Sequence, residues 1–259
     1  MFDLVPRRRP GSSSLEFLGE VLRSPVLFIP VVTTLLAFPF AWTLLRHYRD
    51  RRSSTYMAWW AAGVFLYGVG TLTESLVSVL GWHPIVFKSW YISGALLGGA
   101  PLAQGTVYLL LPRRVAHRLS VALITVVAVA AACVVLSPID MSLVESHRLT
   151  GRVLEWQWVR RFSPFINLYA VIFLVGGAIW SAFKYRAQPD QSHRFKGNVL
   201  IAIGAILPGI GGSFTRFGHT EVLYVTELLG LILIWAGYRY VRDGGLRGTM
   251  GESVATAAA

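Results

Sequence analysis

The chain has 259 residues, of which 54% are hydrophobic and only 14% are charged. A soluble domain carries about 25% charged residues, so this composition excludes an ordinary water-soluble domain. The formal net charge of +11 comes from 24 basic and 13 acidic residues. The basic residues stand between apolar stretches, where they orient a membrane protein and meet anionic head groups. The charge therefore indicates a lipid bilayer as partner and gives no indication of nucleic acid.

The first 25 residues precede the apolar stretches and are predicted to form a separate N-terminal segment. Residues 14–24 place their apolar side chains mostly on one helical face, which predicts a short interfacial helix. The arginine triplet of this segment is not followed directly by an apolar run and a cleavage site, so we expect no removable signal peptide.

Seven apolar stretches follow, each of roughly 18–25 residues, the length that crosses a bilayer as a helix. They cover residues 26–46, 56–80, 86–111, 118–137, 164–184, 197–215 and 220–241. We predict an all-α, multi-pass protein with one transmembrane domain, a seven-helix bundle over residues 26–242. Residues 243–259 are expected to form a flexible cytoplasmic tail. The expected location is a bacterial inner membrane.

The loops predict the orientation of this bundle. On one side the short loops carry four, three and four lysines or arginines, whereas on the other side they carry one each. Short cytoplasmic loops are the ones enriched in these residues. We therefore expect the N-terminus outside and the C-terminus inside, with the longest loop, 138–163, as an external connection that is solvated except for one interfacial turn.

Two glutamates stand within the predicted spans, Glu74 in the second and Glu227 in the seventh. A charged side chain at mid-bilayer costs at least about 2.5–3.5 kcal/mol, so such residues are usually paired or functional. Tyr67, Thr71, Glu74 and Ser78 are spaced by four, three and four residues. This spacing puts them on one helical face, which we expect to point into the bundle.

The predicted orientation places several polar side chains in the outer half, on four spans. They are Glu74, Lys88, Tyr91, Arg216, Tyr224 and Glu227. Natural ion pairs would join Glu74 to Lys88 and Glu227 to Arg216. Together with Thr71, this set is either an outward-opening polar pocket for a small ligand or for protons, or a structural ion-pair network that locks the bundle.

Two prolines are predicted to kink their helices. Pro101 follows a run of small residues in the third span, and Pro208 precedes Gly209, Gly211 and Gly212 in the sixth. Proline removes a backbone hydrogen bond, and broken membrane helices are tolerated where the freed backbone lines a cavity or is buried in protein. For Pro208 we expect a kinked or unwound outer half of the span.

The sequence lacks the residues that several classes of membrane protein and enzyme require. The seventh span has no lysine for a covalent retinal, and the histidines stand at span ends or in loops, which does not suit haem between helices. No Cys/His cluster has metal-site spacing, and neither a phosphate-binding glycine loop nor a nucleophile elbow is present. We predict no metal, no cofactor and no catalytic residue; an enzyme is not excluded, but nothing points to one.

An internal repeat is one of two interpretations of a local similarity. The first and fifth spans end in AWTLLRHYRDRRSS and IWSAFKYRAQPDQSH, and the spans after them both carry spaced glycines. Either three helices repeat in parallel around a linker helix, a 3+1+3 arrangement that occurs in transporters, or these residue types recur by compositional bias.

Three stretches carry a resemblance: WYISGALLGGAPLAQGTVYLLLPRRVAHRL, GNVLIAIGAILPGIGGSFTRFG and VTELLGLILIWAG. They resemble a group of uncharacterised bacterial integral membrane proteins over most of the chain. The layout is also similar to the seven-helix sensor regions that precede histidine kinase domains. That similarity implies an outward N-terminus, an inward C-terminus and signal reception within the bundle. With no transmitter domain after the seventh span, such a sensor would act through a membrane or cytoplasmic partner protein.

Three functions stay open at this point. The first is a sensor or small-ligand-binding protein with an outward-facing polar pocket. The second is a small-solute or proton-coupled transporter, favoured by the possible repeat, Pro208 and the two glutamates. The third is a structural or assembly partner of another membrane protein.

Overall fold

The computed structural model describes the backbone of residues 25–50, 54–145 and 148–257. The predicted interfacial helix at 14–24 lies outside these residues. Within them the regular structure is helical, with no β-strand and two isolated β-bridges. The all-α prediction is confirmed.

Nine α-helices make up the described bundle, and some are joined by 3-10 or π turns. In chain order they are α1 (Ile29–Asp50, after the 3-10 turn Pro25–Phe28), α2 (Thr55–Leu80), α3 (Pro84–Trp90), α4 (Ala100–Leu110), α5 (Arg113–Leu136), α6 (Phe162–Ala170), α7 (Gly176–Tyr185), α8 (Ser192–Phe214) and α9 (Thr220–Ala257). A π turn, Tyr91–Leu96, extends α3, and another, Val171–Val175, joins α6 to α7.

Six helical segments of the described chain are long and apolar enough to cross a membrane. They are Ile29–Asp50, Thr55–Leu80, Arg113–Leu136, Gln157–Tyr185, Pro189–Phe214 and Thr220–Gly244. The predicted third span, 86–111, is built differently, from α3, its π turn and α4, with an interruption between them. Large apolar side chains such as Val121, Ile124 and Val129 on α5 face outward. Such a surface fits lipid, so the chain forms a multi-pass helical bundle with six to seven membrane-length segments.

The third segment is interrupted just before Pro101, whereas the sequence predicts a kink at Pro101 itself. Residues 97–99 are not helical, and α4 begins at Ala100 with Pro101 in its first turn. Proline is favoured there because the first helical amides have no intrahelical acceptor. The predicted kink at Pro101 is therefore replaced by a break just before it, and Pro101 starts a helix.

Pro208 lies inside α8, which continues without interruption to Phe214. The outer half is therefore helical and not unwound, whereas a kink at Pro208 stays a prediction. Pro208 has no amide hydrogen and leaves the carbonyl of Gly204 without its helical donor. The Cα of Gly230 on α9 packs against that carbonyl oxygen: a Cβ at Gly230 would lie 2.7 Å from it. A Cα–H contact of this kind offsets part of the missing hydrogen bond.

Helices α8 and α9 touch backbone to backbone along a line of glycines. A Cβ at Gly204 would lie 2.7 Å from the Gly230 carbonyl oxygen. Gly197 and Gly237 face each other in the same reciprocal way, at 2.7 and 2.5 Å. Small residues let membrane helices approach closely enough for such contact. We call these four residues the glycine seam.

Helix α9 continues beyond the membrane-length segment. Its backbone is helical to Ala257, across the 243–259 segment that was expected to be a flexible tail. Gly244 packs closely against the ring of His193 near the start of α8. Contact between α8 and α9 therefore extends past the expected end of the transmembrane domain at residue 242.

The long loop 138–163 is a folded cap and not the solvated connection that the sequence predicts. It holds three 3-10 turns and an antiparallel bridge between Ile139 and Leu154. Val153, Leu154 and Val159 are fully buried. They form one apolar cluster with residues of α3, the π turn after it and α5. The cap thus covers the end of the bundle at which α5 ends, where the chain enters α6.

Candidate functional site

Glu74 on α2 and Glu227 on α9 meet inside the bundle. Their carboxyl groups lie within hydrogen-bonding reach of each other. Glu74 is only 4% exposed. The Oε2 atom of each residue is buried, and no other donor group of the described chain reaches it. Two acidic side chains 153 positions apart in the sequence thus form one carboxyl pair, which joins the second helix to the last.

A side chain of α3 holds one side of this pair. Nε1 of Trp90 donates a hydrogen bond to Oε1 of Glu74 at 2.9 Å. The chain reverses between α2 and α3 at Gly81, whose φ of 88° lies in the left-handed region that favours glycine. The reversal brings the last residue of α3 back alongside Glu74. The sequence alone did not identify Trp90 as a donor.

The polar stripe of α2 points into the bundle, as its spacing predicts: Thr71, Glu74 and Ser78 are all buried. The hydroxyl of Thr71 lies 2.9 Å from that of Thr34 on α1. The hydroxyl of Tyr67 donates to the backbone carbonyl of Glu227 at 2.9 Å. The stripe therefore ties α1, α2 and α9 together around the carboxyl pair.

Two further hydroxyl groups lie on the other side of the pair, towards the end of the bundle marked by Gly81. Ser78 stands one turn beyond Glu74, is 1% exposed, and its Oγ is not held by a backbone group. Tyr224 stands one turn before Glu227, and its hydroxyl lies beside Ser78 and near both carboxyl groups. Val26 and Ile29 pack against the Tyr224 ring and cover it.

Lys88 does not pair with Glu74, in contrast to the ion pair that the sequence suggests. Its ammonium group donates to the carbonyls of Val135 at 2.7 Å and Ser137 at 3.0 Å. These carbonyls end α5, where the helix dipole favours a positive charge. The long side chain thus reaches a neighbouring helix end, so that its charge is satisfied away from the carboxyl pair.

Tyr91 is a predicted member that the structure places away from the pair. Tyr91 is buried in the apolar cluster beneath the cap, and Gly151 packs against its ring. The side chain of Arg216 lies outside the described residues, so its predicted pairing with Glu227 stays a prediction. None of the ion pairs among the described side chains involves Glu74 or Glu227.

A separate polar network fixes α4 against α5 and α6. Gln104 is fully buried; its Nε2 donates to the Ala116 carbonyl at 3.1 Å and to Ser120 Oγ at 2.8 Å. Tyr169 donates to its Oε1 at 2.5 Å. Every polar atom of the amide that faces the interior has a partner, which is the requirement that a buried amide places on its surroundings.

An apolar cavity of about 50 Å³ lies between six helices. Its walls include Leu44, Val64, Leu102, Ala178 and Ile234, whereas Glu74 and Glu227 do not line it. A second, open groove lies on the cap, between Asp140, Arg152 and Arg160. Neither space is the outward-opening pocket at the glutamates that the sequence suggests.

Among the described residues, no group of three or more His, Cys, Asp and Glu side chains is placed to hold a metal ion. The carboxyl pair brings two acidic groups together with only hydroxyl and indole groups as described neighbours. Comparison with known proteins adds no family: no family model, no curated protein and no solved structure matches the chain.

Proposed function

We propose that this protein is a membrane-embedded sensor whose small ligand is a proton, bound by the carboxyl pair of Glu74 and Glu227. The observation that carries the proposal is the direct approach of the two carboxyl groups in a buried site. If both were ionised, two like charges would be in contact where the dielectric constant is low, which is strongly repulsive. One proton held between them turns the repulsion into a hydrogen bond.

The structural alternative, an ion-pair network, is weakened by the position of Lys88. A network of that kind needs cations at the carboxyl groups, whereas the Lys88 ammonium is held by the carbonyls that end α5. Buried carboxyl groups that face each other cost stability unless a cation or a proton accompanies them. Lys88 is therefore not the cation that would lock this pair, which favours proton binding by the two carboxyl groups.

The pair lies between two helices, so a change in its protonation can move one helix relative to the other. Glu74 and Glu227 belong to different helices, so loss of the shared proton pushes α2 and α9 apart. The predicted orientation puts the site in the outer half of the membrane and the end of α9 on the cytoplasmic side. The proton would come from outside, and a partner at the basic inner loops would receive the signal. The similarity to seven-helix sensor regions supports the same interpretation.

Spin-label distances between α2 and α9 test the proposal. With the native Cys133 replaced by serine, labels at Leu80 on α2 and Val225 on α9 occupy exposed positions. In lipid nanodiscs we expect this distance to increase as the pH is raised. In the Glu74→Gln, Glu227→Gln double variant we expect a constant distance, because two amides keep a hydrogen bond at every pH.

A second label pair provides the control. Ile210 on α8 and Val225 on α9 are both exposed, and their helices are joined along the glycine seam. This distance should not respond to pH. A Leu80–Val225 distance that stays the same throughout the titration of the wild-type protein would sink the proposed function.

A proton-coupled transporter is the second candidate, and one observation favours it. The apolar cavity lies between six helices, at a different place from the carboxyl pair. A solute site and a proton site on separate levels of one bundle are what coupled transport requires. Solute uptake into proteoliposomes that depends on a proton gradient and is lost in the Glu74→Gln variant would establish this function instead.

A further inference from the structure

We propose that the carboxyl pair exchanges its proton through the hydroxyl groups of Tyr224 and Ser78, and thus only with the end of the bundle that carries Gly81. This inference rests on the proposed function and deepens it, because it assigns the side of the membrane whose pH the site can follow. It follows from the hydrogen bonds of the hydroxyl groups that surround the pair on either side.

On the side away from Gly81, the hydroxyl groups lead to backbone carbonyls. Tyr67 donates to the Glu227 carbonyl at 2.9 Å. The Thr71 hydroxyl lies 2.9 Å from that of Thr34 and 3.2 Å from the Gly68 carbonyl, and Thr34 in turn reaches the Pro30 carbonyl at 2.8 Å. A backbone carbonyl has no proton to pass on. These hydroxyl groups therefore fix the helices, and a relay that entered them would end there.

On the side of Gly81, the polar side chains meet one another and not the backbone. Ser78 Oγ, Glu74 Oε2 and Glu227 Oε2 are buried and are not held by a backbone group. The two carboxyl groups are within hydrogen-bonding reach of each other, and so are the hydroxyl groups of Ser78 and Tyr224. The Tyr224 hydroxyl lies beside Ser78 and near both carboxyl groups. Buried polar atoms need hydrogen-bond partners, and here those partners are other side chains.

The relay continues to the surface along α9. Glu221 lies one turn before Tyr224, and its Oε1 is 3.0 Å from Nδ1 of the exposed His219. The chain turns into α9 at Gly218, whose φ of 96° is left-handed. The Glu221, Tyr224 and Glu227 side chains thus recur every three residues from the surface to the pair, about 4.5 Å apart along the helix axis.

The proton balance of each step is simple. A hydroxyl oxygen of Tyr224 or Ser78 accepts a proton from the surface side, from the His219–Glu221 pair or from a water molecule. The same hydroxyl gives up its own hydrogen to a carboxylate oxygen of the pair. After the hydroxyl rotates back, one proton has moved, and no bond between heavy atoms has formed or broken. A phenylalanine or an alanine cannot perform this step.

The other polar and charged groups around the pair do not offer a second route among the described residues. Trp90, from α3, has an indole nitrogen that only donates, so it cannot pass a proton on. The ammonium group of Lys88 is engaged at the end of α5. The turn before α1 and the start of that helix present the apolar Val26 and Ile29 to Tyr224.

The test follows the carboxyl groups by infrared spectroscopy after a rapid pH change. The protein is reconstituted in nanodiscs, protons are released by photolysis of a caged acid, and the rise of the protonated carboxyl band is timed. The Glu74→Gln and Glu227→Gln variants assign that band to the pair. We expect Tyr224→Phe and Ser78→Ala to slow the rise by about tenfold or more without changing its final amplitude.

Tyr67→Phe is the matched control, because it removes the same hydroxyl group from the opposite side of the pair. We expect its band to rise at the wild-type rate. Equal slowing in Tyr67→Phe and Tyr224→Phe, or no slowing in either Tyr224→Phe or Ser78→Ala, would overturn the relay while leaving the proposed function intact. A wild-type protein with no titrating band from the pair would refute the proposed function itself. Ser78→Ala serves as the decisive variant if Tyr224→Phe does not fold.

Discussion

The indole of Trp90 donates to the carboxyl group of Glu74 across 2.9 Å, and this contact links α3 to the stripe of polar residues on α2. Oε2 of Glu74 receives no hydrogen bond from another described donor, and the carboxyl group lies within hydrogen-bonding reach of Glu227. One oxygen of the carboxyl group is thus held by a neutral donor, and the other is available to the second acid.

The Trp90 contact predicts a measurable stability difference between two tryptophans. Trp90→Phe removes the donor and leaves a buried carboxyl oxygen unpaired, so we expect a loss of about 1–3 kcal/mol in unfolding free energy. Trp82→Phe is the matched control, because Trp82 Nε1 is buried without a partner and its ring stacks on Phe87. Unfolding monitored in detergent compares the two. An equal loss in both variants would show that ring size, and not the hydrogen bond, is what matters.

Lys88 is predicted to stabilise the end of α5. Lys88→Met removes the donor to the Val135 and Ser137 carbonyls, for which we expect a loss of about 1–2 kcal/mol. Hydrogen exchange should become faster in the last turn of α5. Lys196→Met, at an exposed position of α8, is the control and should change neither quantity. If Lys88→Met altered the pH response of the α2–α9 distance instead, the original pairing with Glu74 would regain support.

Gln104 is predicted to be the key residue of the network between α4, α5 and α6. Gln104→Leu has a similar size but leaves Ser120 and Tyr169 without their partner, so we expect a loss of about 3 kcal/mol. Gln188→Leu is the control, since Gln188 is exposed and its side-chain amide donates to the Lys184 carbonyl on the surface. Thermal unfolding in nanodiscs measures both. If Gln104→Leu lost no more unfolding free energy than Gln188→Leu, the interior would have relaxed around the missing amide.

The glycine seam is predicted to be intolerant of a single methyl group. Gly204→Ala places its Cβ 2.7 Å from the Gly230 carbonyl oxygen, a backbone atom that cannot move aside alone. We expect a loss of about 1–3 kcal/mol from overpacking. Gly209→Ala on the same helix is the control, since no atom lies within 4 Å of its added Cβ. Comparable stability of the two variants would mean that α8 and α9 can separate without cost.

Asp140, in the cap, offers a pH-dependent prediction outside the membrane-spanning helices. The hydroxyl of Ser142 at 2.6 Å and its amide at 2.9 Å donate to Asp140 Oδ1 and hold the pKa of that carboxyl group below its usual value. The carboxylate form is thus favoured by folding. Its contribution is present above the pKa of the unfolded chain and is lost as the pH falls through the lower folded pKa.

Ser142→Ala removes the hydroxyl donor, so we expect the pKa of Asp140 to rise towards its ordinary value. A carbon-13 NMR titration of the aspartate side chains measures the change directly. Ser213→Ala is the control, because Ser213 donates to a carbonyl of its own helix. An Asp140 titration that does not move in Ser142→Ala would assign the low value to the backbone amide alone.

The sequence predicts those features that depend on local periodicity. Apolar stretches of membrane length reappear as long helices, and the spacing of Thr71, Glu74 and Ser78 identifies the inward face of α2. Similar depth in the outer half was enough to suggest that Glu74 and Glu227 belong together. These inferences need only the helical repeat and the cost of burying a charge.

The partners of the polar groups could not be predicted, because they depend on how the helices pack. The sequence places Lys88 and Glu74 in the same half of the bundle, and only the packing of α5 shows that the ammonium group binds the Val135 and Ser137 carbonyls. The role of Trp90 as a donor depends on how α3 packs against α2, which the spacing of residues along either helix does not give. The kink predicted at Pro101 is instead a break at residues 97–99, because proline is compatible both with a kink and with the first turn of a helix.

The glycine seam has a mechanical consequence. Two helices whose backbones touch at Gly197, Gly204, Gly230 and Gly237 cannot slide or rotate past each other without a collision, so α8 and α9 move as one rigid body. Glu227 lies on this body at one end, and the contact of Gly244 with His193 lies 17 residues further along, about 25 Å away. A tilt started at the acid would therefore be carried by two helices at once to the far end of the bundle.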